Sequence, residues 1–245
     1  MPSNLTPDEI QDLVTYSFCL EVLSDKDGCT TRYKDIPGKP LHDFISSAIV
    51  SGKYFRLLAR DIVDGKNPGV FDYLLNALLD SRKISSSKLI NFGLLQMMFI
   101  VVYVRLIDQN PRTIFESLNN LVKRKDIRDV DKLGRGHLEA WKDSTKNYRR
   151  NFQIPASESI YDFYLNNIIN PIRSDDIGGI HWTEEFVNGF PTIRHFYDYF
   201  EKTTGSLAER IKGAYDSFDK KYIRIGVIAD MCAVAIFLHL SFQQP

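Results

Sequence analysis

Between residues 20 and 49 the chain gathers the side chains best suited to a phosphorylated ligand. The segment runs Leu20-Glu21-Val22-Leu23-Ser24-Asp25-Lys26-Asp27-Gly28-Cys29-Thr30-Thr31-Arg32-Tyr33-Lys34-Asp35, followed by Asp43-Phe44-Ile45-Ser46-Ser47-Ala48-Ile49. A glycine turn at Gly28 brings backbone N–H groups close to a ligand, and helix N-termini attract anions. Lys26, Arg32 and Lys34 suit phosphate oxygens, while Asp35 and Asp43 suit the Mg²⁺ that bridges the phosphates of a nucleotide. The same residues also fit a solvated loop, with Asp43 doing no more than stabilising a helix dipole. Residue types alone leave both readings open.

Other constellations are weaker. The histidines His42, His137, His181, His195 and His239 show no metal-ligand spacing, and no G-x-S-x-G, Walker A or H-E-x-x-H occurs. His239 reads as a core or helix-end residue. Asp175-Asp176 before Gly178-Gly179 reads as a turn. The basic runs Lys123-Arg124-Lys125 and Lys146 to Arg150 are diluted by acidic neighbours.

The elements that must position these residues are helical. Thr6-Pro7-Asp8-Glu9 is a capping box with proline at the first helical position, so a helix is predicted over 7–23. Lys26-Asp27-Gly28 breaks it, and residues 26–40 form a loop holding Gly28, Pro37, Gly38 and Pro40. A second helix is predicted over 41–63, ended by Asp64-Gly65 and Asn67-Pro68-Gly69. Helical periodicity continues over 70–81, 86–107, 112–124, 157–169, 191–202, 205–216 and 220–242, with Pro111 and Pro191 at helix starts. Residues 125–156 read as a loop or a short surface helix. Strand-like alternation is absent and no long repeat occurs, so the expected fold is all-α: a single-domain globular helical bundle over 1–245 with apolar central helices.

Those central helices raise the membrane question. Leu89–Val104 carries no charge, and Ile225–Phe242 is interrupted only by Asp230 and His239. Asn91, Gly93 and Gln96 in the first and Asp230 in the second favour buried core helices over membrane spans. Of 245 residues, 44% are apolar and 25% charged, which excludes a disordered chain. Lys+Arg and Asp+Glu balance at 31 each, so no long-range field favours nucleic acid or an anionic membrane. Three cysteines without a C-x-x-C pair, and an N-terminus without a signal-peptide pattern, predict a reducing, cytoplasmic setting.

Three motifs, in order, resemble the triphosphoribosyl-dephospho-CoA synthase family. That family reads Leu-Glu-Val, Lys-Pro-Gly-Asn-Val, a basic–aromatic pair and an Asp, then Asp-Phe-Leu-x-Ser-Ala. Here Leu20-Glu21-Val22, Lys26, Gly28, Arg32-Tyr33, Asp35 and Asp43-Phe44-Ile45-Ser46-Ser47-Ala48 fall in place. An Asn-Thr-Asn-Leu-Gly signature survives as Asn91-Phe92-Gly93, and a Glu-to-Gly-Phe signature as Glu185 to Gly189-Phe190. The family's C-terminal signature is not recognisable. Asp27 stands where the family has proline, Cys29 where it has asparagine, and Leu89 and Ile90 replace an Asn and a Thr. The Asp27 exchange loosens the turn and adds negative charge near a phosphate.

The resemblance implies transfer of a 5-triphosphoribosyl group from ATP to a dephospho-CoA-like acceptor hydroxyl, with release of adenine. ATP as substrate and Mg²⁺ are implied with it, and so are nucleotide and CoA-like partners; a homo-oligomer stays open. The residue roles implied are Lys26, Gly28 and Arg32 at the phosphates, Asp35 and Asp43 at metal or acceptor hydroxyl, Asn91 at a ligand or loop, and Glu185 as a second carboxylate. The alternative is a catalytically diverged helical protein that binds nucleotides or partners. The two readings part on whether the Lys26 loop and the Glu185 turn wall one polar cavity.

Overall fold

The computed structural model describes residues 5–26, 28–86, 90–140, 159–166, 184–218 and 225–244. Asp27, Leu89, Lys146, Arg149, Arg150, Asp175, Asp176, Gly178, Gly179 and His181, all singled out above, lie outside them. Among the described residues the helices are α1 (Pro7–Leu23), α2 (Leu41–Val63), α3 (Leu74–Ile84), α4 (Phe92–Ile107), α5 (Ile114–Lys123), α6 (Ile127–Ala140), α7 (Ile160–Tyr164), α8 (Pro191–Lys202), α9 (Leu207–Ser217) and α10 (Ile225–Gln243). A short helical turn over 184–187 precedes α8. No strand forms among the described residues, and the fold is all-α.

The helix ends follow local chemistry. At α1 the Thr6 hydroxyl accepts the Glu9 N–H and the Glu9 carboxylate accepts the Thr6 N–H, closing the predicted capping box. The same exchange between Ser206 and Glu209 starts α9, and Pro191 opens α8. α3 starts later than its periodicity suggests. The Val70 N–H is taken by Asp129 at 2.7 Å and the Gly69 N–H by Asp72, which winds residues 70–73 into turns first. Pro111 likewise lies in a turn leading to α5, not at its first position.

One expectation fails. Residues 127–140 form a full amphipathic helix rather than a loop or short surface helix, burying Val130, Leu133, Gly134, His137 and Ala140. Its few apolar positions sit one turn apart, and glycine does the rest: a Cβ on Gly136 would meet Leu74 Cδ2 at 3.0 Å, so α6 rides close on α3.

α4 is the axis of the core. Every residue from Leu94 to Leu106 is buried, and the helix packs against α10, α5, α2 and α3. α10 packs against α8, α1 and α4. Gly226–Gln243 is long and apolar enough to cross a membrane, yet 72% of it is buried inside the fold. That is how a core helix with apolar residues all round behaves. α1 and α2 lie side by side, close enough that a Cβ on Gly52 would meet Thr15 Oγ1 at 2.5 Å.

Candidate active site

The residues around Lys26 form an ionisable cluster. α1 ends at Leu23, and the chain turns so that the Lys26 ammonium folds back under the helix C-terminus. There Nζ donates to the Glu21 carbonyl at 2.6 Å and pairs with Glu21 Oε1 at 2.8 Å. A cation at that end of a helix is favoured by its dipole. Glu21, itself buried, also accepts the Tyr215 hydroxyl of α9 at 3.0 Å. From α10 comes Asp230. It is half-buried, accepts the Leu94 N–H in the first turn of α4, and lies within electrostatic reach of Glu21, Lys39 and Lys26. Burial, and then the Glu21 charge, push the Asp230 carboxyl well above the usual carboxylate range. The same two causes raise the Cys29 thiol to about 12. The end of α1, the loop after it, the start of α4, α9 and α10 thus converge on one polar spot.

Arg32 and Asp35 sit on the exposed side of the loop that Lys26 enters. The Thr30 hydroxyl organises this loop, donating to the Lys39 carbonyl at 2.6 Å and accepting the Ile36 N–H at 3.2 Å. Gly28 adopts φ 78°, a conformation that favours glycine. Asp35 Oδ1 accepts the Leu41 N–H at 2.7 Å and so fastens the loop to the start of α2. The Arg32 guanidinium lies 4.6 Å over the Tyr33 ring, both exposed to solvent.

Asp43 is fully buried in the first turn of α2. Its Oδ1 accepts the Ser86 N–H at 3.0 Å and its Oδ2 the Ser86 hydroxyl at 2.7 Å, with His42 Nε2 3.2 Å from Oδ1. Both oxygens are engaged, so the expected role at a metal meets a carboxylate already committed to the protein. Its visible effect is to pin the chain ahead of α4. That chain arrives at Asn91, which adopts φ 57° and caps α4 without a side-chain hydrogen bond to it. The left-handed residue and the pinned Ser86 explain why α4 starts at Phe92 rather than near 86. Asn91 thus stands at the helix end that Asp230 reaches.

Glu185 occupies a different setting. It is fully buried, and Oε1 accepts the Thr192 N–H at 2.8 Å at the start of α8. Burial raises its carboxyl to about 7, against the opposing hydrogen bonds from Thr192 and Ile193. Its neighbour Phe186 stacks on Tyr164, whose hydroxyl donates to Gln96 Oε1, the oxygen that also meets His137 Nε2 at 2.7 Å. Two separate groups thus touch α4: Asp230, which neighbours the Lys26 cluster, accepts the Leu94 N–H, and Tyr164, on which Phe186 stacks, reaches Gln96, while Glu185 itself bonds Thr192 and Ile193.

Among the described residues no group of three or more His, Cys, Asp or Glu side chains is arranged to hold a metal ion. A surface groove of about 400 Å³ lies between α8 and α9, lined by Tyr199, Lys202, Thr203, Thr204, Glu209 and Arg210. Glu209 is spent on the α9 cap, and Arg210 donates to the Phe200 carbonyl and to His239. The buried His239 takes the core position expected of it.

Sequence reasoning missed Glu21 as a partner, read Asp230 only as a sign of a buried core helix, and missed Lys39 and Tyr215 altogether. Glu21 had a signal, sitting inside the Leu-Glu-Val motif. Asp230 had another, as a carboxylate in an otherwise apolar helix, where such a group needs a partner. Nothing in the local sequence marks Tyr215 or Lys39.

Fold and cluster together define a class: an all-helical protein with a largely buried ionisable cluster beside the N-terminal end of its central helix. The family model described as ATP:dephospho-CoA triphosphoribosyl transferase matches residues 7–215, and the chain belongs to that family. Comparison with curated proteins and with solved structures gave no match.

Proposed function

We propose that this protein transfers the 5-triphosphoribosyl group of ATP to a hydroxyl of dephospho-CoA or a close relative, releasing adenine. What supports this reading, beside family membership, is the Glu21–Lys26–Asp230 cluster at the α4 N-terminus. Displacement at a ribose anomeric carbon passes through an oxocarbenium-like state that nearby carboxylates stabilise. Exposed Arg32 and Lys39 supply cationic contacts for the triphosphate, and the α4 start with Asn91 supplies dipoles and an amide. Lys26 acts from beneath, fixing Glu21 and setting the charge of the floor. Glu185 supports the site through α8, since its carboxylate is buried against that helix.

Mg²⁺ taken up with ATP needs only one or two protein carboxylates beside phosphate oxygens. Asp35 fits, being exposed with one oxygen engaged; Asp43 does not. Bound there, the ion would supply neutralisation of the triphosphate charge.

The test is incubation with ATP, Mg²⁺ and dephospho-CoA while free adenine is followed. Acceptor-dependent adenine release, lost in Arg32→Ala and reduced in Asp35→Asn, is the expected result. A protein that ATP stabilises against heat without any adenine appearing is the diverged binding protein instead. That second reading draws on Lys26, whose charge is already matched inside the fold.

A further inference from the structure

The groove of about 400 Å³ between α8 and α9 shares no residue with the Lys26 cluster. Its volume falls in the range of small-molecule sites, about 300–1,000 Å³. Arg210 is half-buried in its wall. Arg210 Nη1 donates to the Phe200 carbonyl in the last turn of α8 at 3.0 Å and to His239 Nε2 at 3.1 Å. The rest of the guanidinium has no acceptor among the described residues, and Nε is buried without one. Nor does any described carboxylate come within 4.0 Å of it, so the fold supplies this cation with no counter-ion. A half-buried charge in that state calls for an anion from outside. The guanidinium is nevertheless held in place. His239 is 1% exposed, and its Nδ1 lies 2.6 Å from Glu201 Oε1, which leaves Nε2 to accept from Arg210. The opposite wall is fitted as closely: Tyr199 lies against α9 at Gly213, where a Cβ would collide with its hydroxyl. Glycine inside a helix is otherwise unfavourable.

We propose that the α8–α9 groove binds a phosphorylated small molecule, with Arg210 as its anchoring cation and Lys202 as the second. A guanidinium carries its N–H groups in one plane, matched to phosphate oxygens, and here Nη1 alone is committed to the protein. Lys202 pairs with Asp198 at 3.5 Å with both side chains exposed, a contact weak enough to yield to a phosphate. Thr203 gives its hydroxyl to the Tyr199 carbonyl, whereas Thr204 stands exposed at the rim. Glu209 is the opposing charge, and its Oε2 accepts the Ser206 N–H and hydroxyl. Two cations against one carboxylate leave the groove positive, although the chain as a whole carries no net charge. A phosphate ester such as dephospho-CoA and a free polyphosphate share the chemistry it recognises. The proposal does not rest on the triphosphoribosyl-transfer reading.

The test titrates the full chain with inorganic pyrophosphate, ATP and dephospho-CoA, following affinity by calorimetry and location by amide NMR shifts. At least one of the three should bind and shift the amides of Lys202, Thr203, Thr204 and Gly205. Arg210→Gln and Lys202→Glu should each weaken the binding that those amides report by about tenfold or more, the weight of a charge-assisted hydrogen bond. Weakening of all three ligands alike marks a general polyphosphate site, and weakening of dephospho-CoA alone marks a site for that ester; both support the groove. Titrations that leave the four amides unmoved overturn it, and so does undiminished affinity in Arg210→Gln. Arg210 also ties α9 to α8 and α10, so if Arg210→Gln does not fold, the exposed Lys202→Glu decides in its place, with undiminished affinity again sinking the proposal. Adenine release is not the readout, so failure of the transfer reading and failure of this one are seen separately.

Discussion

At the residue scale, the buried Glu21–Lys26 pair divides structural from chemical roles. Removing one member of such a pair strands the other charge inside the protein, which typically costs about 3–5 kcal/mol. Lys26→Met should therefore lower unfolding free energy by about that much in urea. The double variant Glu21→Gln/Lys26→Met should recover most of the loss, because neither site then carries a charge. If the single and double variants were equally unstable, packing rather than charge would hold this corner. Arg32 sits exposed on the loop, so Arg32→Ala should leave stability within about 0.5 kcal/mol while weakening the ATP-induced rise in melting temperature.

At the element scale, the termini of α4 and α8 are set by buried carboxylates. Asp43→Ala would leave the Ser86 N–H and hydroxyl without their acceptor, at about 1–3 kcal/mol. It should also blunt ATP stabilisation by loosening the approach to Asn91, and calorimetry with and without ATP reads both. Glu185 governs α8 in a pH-dependent way. Its folded pKa of about 7 lies above the unfolded value of 4.5, so its contribution is fully present below pH 4.5 and fades as pH rises toward 7, by about 3 kcal/mol. His137 has the opposite sign. Burial lowers it from 6.5 to about 3, so its contribution is present above pH 6.5 and is lost as the medium becomes acid. Between pH 4.5 and 6.5 the two slopes oppose each other in the wild type. Glu185→Gln should remove the first slope and gain stability relative to wild type between pH 5 and 8. Unchanged pH dependence in that variant would contradict the buried cap.

At the scale of the molecule, α10 joins the halves of the chain. It carries Ile228 and the buried run Met231–Leu238 into the core between α1, α4 and α8. Ending the chain after Ser217 would strip that face from three helices, even though the family match ends at 215. The truncated protein should lose its cooperative thermal transition, and a sharp melt at wild-type temperature would show that residues 7–215 stand alone. The same helix delivers Asp230, so stability and the proposed chemistry share one element.

The sequence by itself determined most of the helices, because helix ends are local events. Capping hydroxyls, an N1 proline and Gly-Pro stops act within a turn, which is why α1, α2 and α8 fall on their expected boundaries. It singled out the lysine–glycine loop as the candidate place for chemistry, since charge and glycine concentrate there. Where a boundary depended on a distant group, local reading went astray: Asp129 delays α3, Asp43 delays α4, and Gly136 lets a sparse apolar pattern become α6. Which distant groups join the local Glu21–Lys26 pair was decided by tertiary structure. Glu21, Tyr215, Leu94 and Asp230 are separated by 73 to 209 residues of chain, taken outward from Glu21. Packing, not spacing, brought the Tyr215 hydroxyl to Glu21 and the Leu94 N–H to Asp230, because burying the apolar faces of α4 and α10 brings those helix ends together.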